Sequence, residues 1–361
     1  MVRTLTLVVL AHGVFLVLLT TAAPAANIAI DTVSVGNAGN APDQLYTFNN
    51  PDNLLFGSVG YEYRIGKHEV TNAQYAAFLN EKAKSDPLIL YDANMASSPR
   101  GGVVRSGVSG SYTYSTKLDM DNKPVNFVDW YDALRFSNWL HNGQGTGSTE
   151  SGAYTLLGGT PVPSNAASIA RSGDAQWFLP SEDEWYKAAY YDPTLNSNSG
   201  GYWSFATQNN SAPSIATANS VGDITNPGAN VANYNSGADW NSLDGNVTTV
   251  GSAGPLSTSY YRTSDQNGNL WEWNEASIFS TFRGLRGGAF YGNSGLNASD
   301  RNLLDPTTLG VDRGFRVGTV VPEPSSVTLA ALALVGIVFL RRRSPGGKSG
   351  NRGRRSGTGV K

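Results

Sequence analysis

Asn267-Gly268-Asn269-Leu270-Trp271-Glu272-Trp273, then Arg286-Gly287-Gly288-Ala289-Phe290, then Gly314-Phe315-Arg316-Val317: these three short stretches decide how the chain folds. Trp271 and Trp273 carry large surfaces for burial, and the glycine pair permits close approach of neighbouring backbone. Arg286 and Arg316 can each donate several hydrogen bonds to carbonyls of loops that lack a strand partner. All of these roles are architectural and require no activity.

Upstream, Tyr61-Glu62-Tyr63-Arg64-Ile65-Gly66 alternates large apolar with polar residues, as a half-buried strand does, and Gly66 ends it. Thr71 opens a helix, since its hydroxyl can cap the first turn while Gln74 reaches back, and Tyr75, Phe78 and Leu79 form the apolar stripe. Asp129 is the expected N-cap of a second helix that runs to His141 with Ala133, Phe136, Trp139 and Leu140 on one face. Ser181 and Glu184 have capping-box spacing for a third, which carries Trp185, Ala188 and Ala189. Before them, residues 27 to 58 are polar and read as a strand or two with loops. From Asn196 to Ser259 the chain is rich in Asn, Ser, Gly and Ala with almost no apolar period. A stretch of that length is either ordered by something such as a metal or is a disordered linker.

The two ends of the 361-residue chain carry sorting signals. Arg3, an apolar stretch from Leu5 to Leu19 and small residues at Ala22, Ala23, Ala25 and Ala26 follow the order of a secretory signal peptide, residues 1–26, which addresses the chain to the Sec export machinery. At the other end, Val321-Pro322-Glu323-Pro324, an apolar run from Val327 to Leu340 and Arg341-Arg342-Arg343 form a tripartite segment, 321–343. Its apolar run is marginal for a permanent span, but its arginines stay on the cytoplasmic side during export, so the run is expected to halt there as a transient transmembrane anchor in the inner membrane. Residues 344–361 read as a disordered basic tail. The body is therefore 27–320. Nine of the 26 Lys and Arg and one of the 28 Asp and Glu lie outside it, leaving 17 basic and 27 acidic residues and a formal charge of −10. Such a body repels phosphate backbones, so nucleic acid is not an expected partner, whereas divalent cations are natural guests. With no cysteine, an exported chain has neither disulfide nor reactive thiol.

Six blocks in order resemble the formylglycine-generating-enzyme (sulfatase-modifying factor) family. Arg64 to Tyr75 is similar to its "E-V-T-N-x-x-Y" opening, and Pro124-Val125-Asn126-Phe127-Val128-Asp129-Trp130 with Asp132-Ala133 to its "P-V-x-x-V-s-W-x-D-A". Phe178 to Ala189 resembles "R-L-P-T-E-A-E-W-E-x-A-A", and the three stretches quoted first complete the series. The resemblance implies an α+β fold, a variant of the C-type-lectin-like fold, with short twisted sheets, few helices and much irregular structure stabilised by calcium. The end at 321–343 likewise resembles the PEP-CTERM sorting signal, which implies an exosortase as partner and delivery to the cell surface or extracellular matrix.

The family's copper chemistry needs two cysteines after the Arg-Gly-Gly block. Gly292 and roughly Asn297 stand in their places, and neither side chain can replace a thiolate at Cu(I), so copper is not an expected cofactor. His12, His68 and His141 lack ligand-like spacing. The resemblance does imply calcium, through Asp265, Gly268, Leu270 and Glu272 at a first site and Asn233, Tyr234, Asp244 and Asn246 at a second; oxygen ligands from irregular loops suit a hard cation. The reading that follows is an exported binding module without catalytic residues, whose ligand is a surface glycan or protein. Phe290, Tyr291, Gly292, Asn293, Asn297 and Arg301 would then line its groove. The alternative is an enzyme of the same family with a non-thiolate mechanism.

Overall fold

Three helices begin where their caps place them in the computed structural model, which describes residues 27–321. In α1, Asn72–Lys82, the Thr71 hydroxyl accepts from the Gln74 amide and the Gln74 side chain accepts from the Thr71 amide. Ser181 and Glu184 make the same exchange ahead of α3, Glu182–Tyr190. For α2, Trp130–His141, the reciprocal partner of Asp129 is Asp132, a second acid. Each reciprocal cap satisfies two backbone donors that a helix end otherwise leaves open.

Helices α1 and α2 bury their aromatic stripes against each other, with Phe78 5.4 Å from Phe136 and 5.3 Å from Trp139 between ring centroids. Phe315 closes on Phe136 edge-on at 5.4 Å, which brings the last of the six blocks into the same core.

Two four-stranded sheets flank this core. The first has the order β1-β2-β8-β3, with β1 Thr32–Val35, β2 Tyr63–Gly66, β3 Trp177–Phe178 and β8 Gly318–Val320. The second has the order β6-β5-β4-β7, with β4 Trp271–Ile278, β5 Phe282–Arg286, β6 Asn302–Leu304 and β7 Arg313–Gly314. Strand β4 pairs antiparallel with β5, opposing Glu272 to Arg286, and parallel with β7, opposing Glu272 to Gly314. Trp273 on β4 is fully buried, and its indole N–H donates to the Val128 carbonyl at 3.1 Å.

The Asn-rich stretch from 196 to 259 is ordered by its own side chains. Two-residue pairings, Ser214–Ile215 with Val231–Ala232 among them, are joined by amides that take the place of a ladder. Asn226 donates to the Ile215 carbonyl at 3.0 Å and Asn230 to that of Ser211 at 3.1 Å. Asn230, Asn235 and Asn241 have left-handed backbone, which Asn tolerates, and Ala216, Ile224, Val231 and Ala253 form a small core beneath. The disordered-linker alternative therefore fails.

The described residues up to Thr319, 27–319, form one compact unit. The signal-peptide reading of 1–26, and those of the apolar run and the basic tail after residue 321, lie outside the described residues. Among the described residues no helix is long and apolar enough to cross a membrane.

Candidate functional site

The loop from Asp265 to Leu270 is pinned against Asn233. Gly268 has φ +81, and a Cβ there would lie 2.0 Å from the Asn233 carbonyl oxygen, so only glycine permits the contact. The Asn269 amide donates to that carbonyl at 2.8 Å. Asn233 Nδ2 in turn donates to the Asn246 carbonyl at 2.8 Å and to Asn269 Oδ1 at 3.2 Å. The structure thus brings Asn233 and Asn246, expected at a second metal site, onto Gly268 of the first. Leu270 is fully buried and packs with Phe290, Met120, Trp240 and Val247.

Other expected ligands are drawn elsewhere. Glu272 is fully buried and accepts from Arg316 Nε at 2.5 Å, Arg316 Nη2 at 2.6 Å and the Trp185 indole at 2.7 Å. Three donors leave this carboxylate about one free lone pair, so Glu272 is first of all the partner of an arginine. The Tyr234 hydroxyl donates to the Pro213 carbonyl at 2.6 Å. Asp244 is exposed, and only its carbonyl is engaged, by Arg100 Nη2 at 2.8 Å.

Asp265 Oδ2 accepts from the Gly251 amide at 2.6 Å and lies 3.9 Å from His68 Nδ1. Next to it stands Glu69, which the sequence reading placed only within a motif. Glu69 is 2% exposed; Oε2 accepts from Asn269 Nδ2 at 3.1 Å, while Oε1 has no partner. Burial, and then the charges of Asp265 and Glu272, push its carboxyl well above the usual range, against the opposing pull of Arg316. Its signal in the sequence was an acid at the strand-to-helix junction Glu69-Val70-Thr71-Asn72, where a buried backbone leaves little room for charge.

Arg316 thus bonds only Glu272 of the three acids whose charge it feels, and the orphaned Glu69 Oε1 and Asn233 Oδ1 are buried acceptors without donors. An unpaired buried acceptor is costly, and a hard cation would satisfy both the charge and the oxygens. The donor set therefore fits calcium in kind. Among the described residues no three His, Cys, Asp or Glu side chains are placed to hold a metal together, so amide and carbonyl oxygens would have to complete the shell.

The expected groove divides in two. Phe290 is 1% exposed and belongs to the Leu270 cluster, and Arg301 is 5% exposed with Nε at 2.8 Å and Nη2 at 2.5 Å from the Glu182 carboxylate. Both face the core instead of a groove, because an aromatic ring and a guanidinium with an available acid gain more inside than on a loop surface. Asn297 is half-buried, and its Oδ1 closes a turn on the Ser299 amide at 3.0 Å. Gly292 is half-buried, and its carbonyl accepts from the Asn235 amide at 2.8 Å. Tyr291, 48% exposed, and Asn293, also exposed, remain at the surface. The Tyr291 hydroxyl donates to Asp312 Oδ2 at 2.8 Å; partial burial and then this bond raise it to about 12, so it remains a donor throughout the neutral range.

A family model for sulfatase-modifying factor enzyme 1-like domains matches residues 57–320, and one for the PEP-CTERM protein-sorting motif matches residues 320–343. Among solved structures the chain is similar to CarF, at 20% identity and a TM-score of 0.49, over 81% of this chain and 99% of that one. It is also similar to Treponema denticola variable protein 1, at 16% identity and 0.43, over 80% and 95%, and to PvdO from Pseudomonas aeruginosa, at 17% and 0.42, over 81% and 92%. No curated protein matches the chain.

Proposed function

This chain belongs to the family of sulfatase-modifying factor enzyme 1-like domains, with its α+β, C-type-lectin-like fold, and from that premise we propose that it is an exported ligand-binding module and not a thiol-dependent oxidase. Its PEP-CTERM motif marks it as an exported protein sorted by an exosortase, and the destination we assign is the cell surface or extracellular matrix. The observation that carries the reading is the segment from Phe290 to Arg301. It holds no cysteine, and its strongest side chains are committed to the core, which leaves Tyr291 and Asn293 as the accessible contacts.

A fixed aromatic beside a polar amide offers contact area and hydrogen bonding at small entropic cost, as a glycan or a surface protein requires. Calcium has the role of a structural ion, held by Asp265 and the carbonyls of Gly268 and Leu270, with Glu69 and Asn233 supplying the oxygens that now lack partners. Binding of the intact exported protein to glycan arrays and to surface-protein extracts tests the module. Tyr291→Ala with Asn293→Ala should abolish the signal, and oxygen consumption by copper-treated protein would refute the reading.

A further inference from the structure

Arginines and lysines are scarce in this acidic body, and most of the buried ones are spent on carboxylates or carbonyls. One cavity among the described residues follows that rule. It measures about 450 Å³ and is lined by Asp119, Asp121 and Asp223 with Lys123, whose amine is already held by the Val221 carbonyl and the Thr249 hydroxyl. A second cavity, of about 390 Å³, breaks it. Its wall brings together Lys67, His68 and Arg262, with Gly251, Gly254 and Pro255 among the residues that complete it.

Three features make this cavity a site. Lys67 and Arg262 form no ion pair among the described residues, so both charges are available to a guest. His68 is partly exposed in the wall, with its buried Nδ1 turned toward Asp265 Oδ2 at 3.9 Å. Gly251, at φ +72, lets backbone press against the His68 ring, since a Cβ there would lie 2.5 Å from His68 Cε1. The imidazole is thereby fixed in place in the cavity wall. Arg262 also has left-handed backbone, with φ +72, in a turn closed by its own amide on the Ser259 carbonyl at 2.9 Å. A body of charge −10 otherwise turns anions away, so a cluster of two free cations and an imidazole selects for them locally.

We propose that this cavity binds an anionic sugar residue, recognised by Lys67 and Arg262 through its carboxylate or sulfate and by His68 through a hydrogen bond. The volume lies within the range of small-ligand sites, and Val250 and Pro255 provide apolar wall for a ring face. Charge-assisted bonds from a guanidinium and an ammonium are the usual means of holding such an oxyanion. The inference goes beyond the binding-module reading by adding a second site with its own ligand class, and it does not depend on the Tyr291 loop.

Titration calorimetry on the intact protein tests it, with glucuronate, a sulfated monosaccharide, glucose and inorganic sulfate as probes. Binding of either anionic sugar, with none of glucose, is expected, and which of the two binds separates carboxylate from sulfate recognition. Lys67→Gln and Arg262→Gln should each weaken binding by about tenfold or more, Lys67→Arg should retain it, and raised salt should weaken it. Neither side chain supports the core, so unchanged melting temperatures will show that the variants are folded. The proposal is overturned if neither anionic sugar binds, if binding survives the double Gln variant, if glucose binds as well, or if inorganic sulfate alone binds as tightly as the sugars. Loss on Tyr291→Ala with retention in both Gln variants would also overturn it, by placing the ligand on the other loop.

Discussion

Glu272 shows how one side chain can fit two roles on paper and one in space. Its place in the Gly-Asn-Leu-Trp-Glu-Trp block suggested a metal ligand, but Arg316 lies 44 residues on and takes both of its oxygens. Both groups are fully buried, so the pair stands or falls together. Arg316→Lys keeps the charge but loses the two-pronged contact and the bonds to the Gly66 and Ser264 carbonyls. It should cost about 2–4 kcal/mol in urea denaturation, because a buried charge loses its partner geometry. A loss below about 0.5 kcal/mol would show that the pair is incidental. Asn297 illustrates the opposite case: a short-range turn to Ser299 uses a side chain that sequence position alone offered to a ligand.

At the level of elements, the helices were legible because their caps act over three residues. The acid pair that starts α2 has a further consequence that spacing did not disclose. Burial lifts the Asp129 carboxyl from 3.8 to about 6, and Asp132, buried beside it, is pushed well above its usual range by burial and by Asp129. Between those two values the folded chain holds a proton that the unfolded chain has released. The stability Asp129 contributes is therefore complete below about pH 4 and is lost as pH rises through 6. Asn caps a helix as well as Asp does and carries no charge to bury. Asp129→Asn should therefore raise stability at pH 7 relative to the wild type by about 1–3 kcal/mol, and the gap should close toward pH 4. Melting curves across pH 4–7 check this; parallel profiles for the two proteins would contradict it. Asp129→Ala, which removes the cap as well, should cost about 1 kcal/mol relative to the Asn variant.

For the whole molecule, the calcium site proposed beside Glu69, Asp265 and Glu272 is tested through global stability. Chelation should lower the melting temperature of the intact protein, calcium should restore it, and Glu69→Gln should shrink the difference, because it removes the carboxyl that would ionise to hold the ion. Identical melting curves with and without chelator would remove calcium from the account. The residues alone determined the family through six ordered blocks, the three helices through their local caps, the excess of acid in the body, and the absence of thiol chemistry through a complete lack of cysteine. Each of these is a property of composition or of neighbours a few positions apart. Tertiary structure alone decided that Phe290 and Arg301 turn inward and that Glu272 serves Arg316. Glu69 and Asn233 meet only through Asn269, which bonds both, and Lys67 and Arg262, 195 positions apart, face one cavity. The physical reason is that a buried charge or ring takes whichever partner the packed chain brings within about 3 to 4 Å, and sequence separation places no limit on that choice.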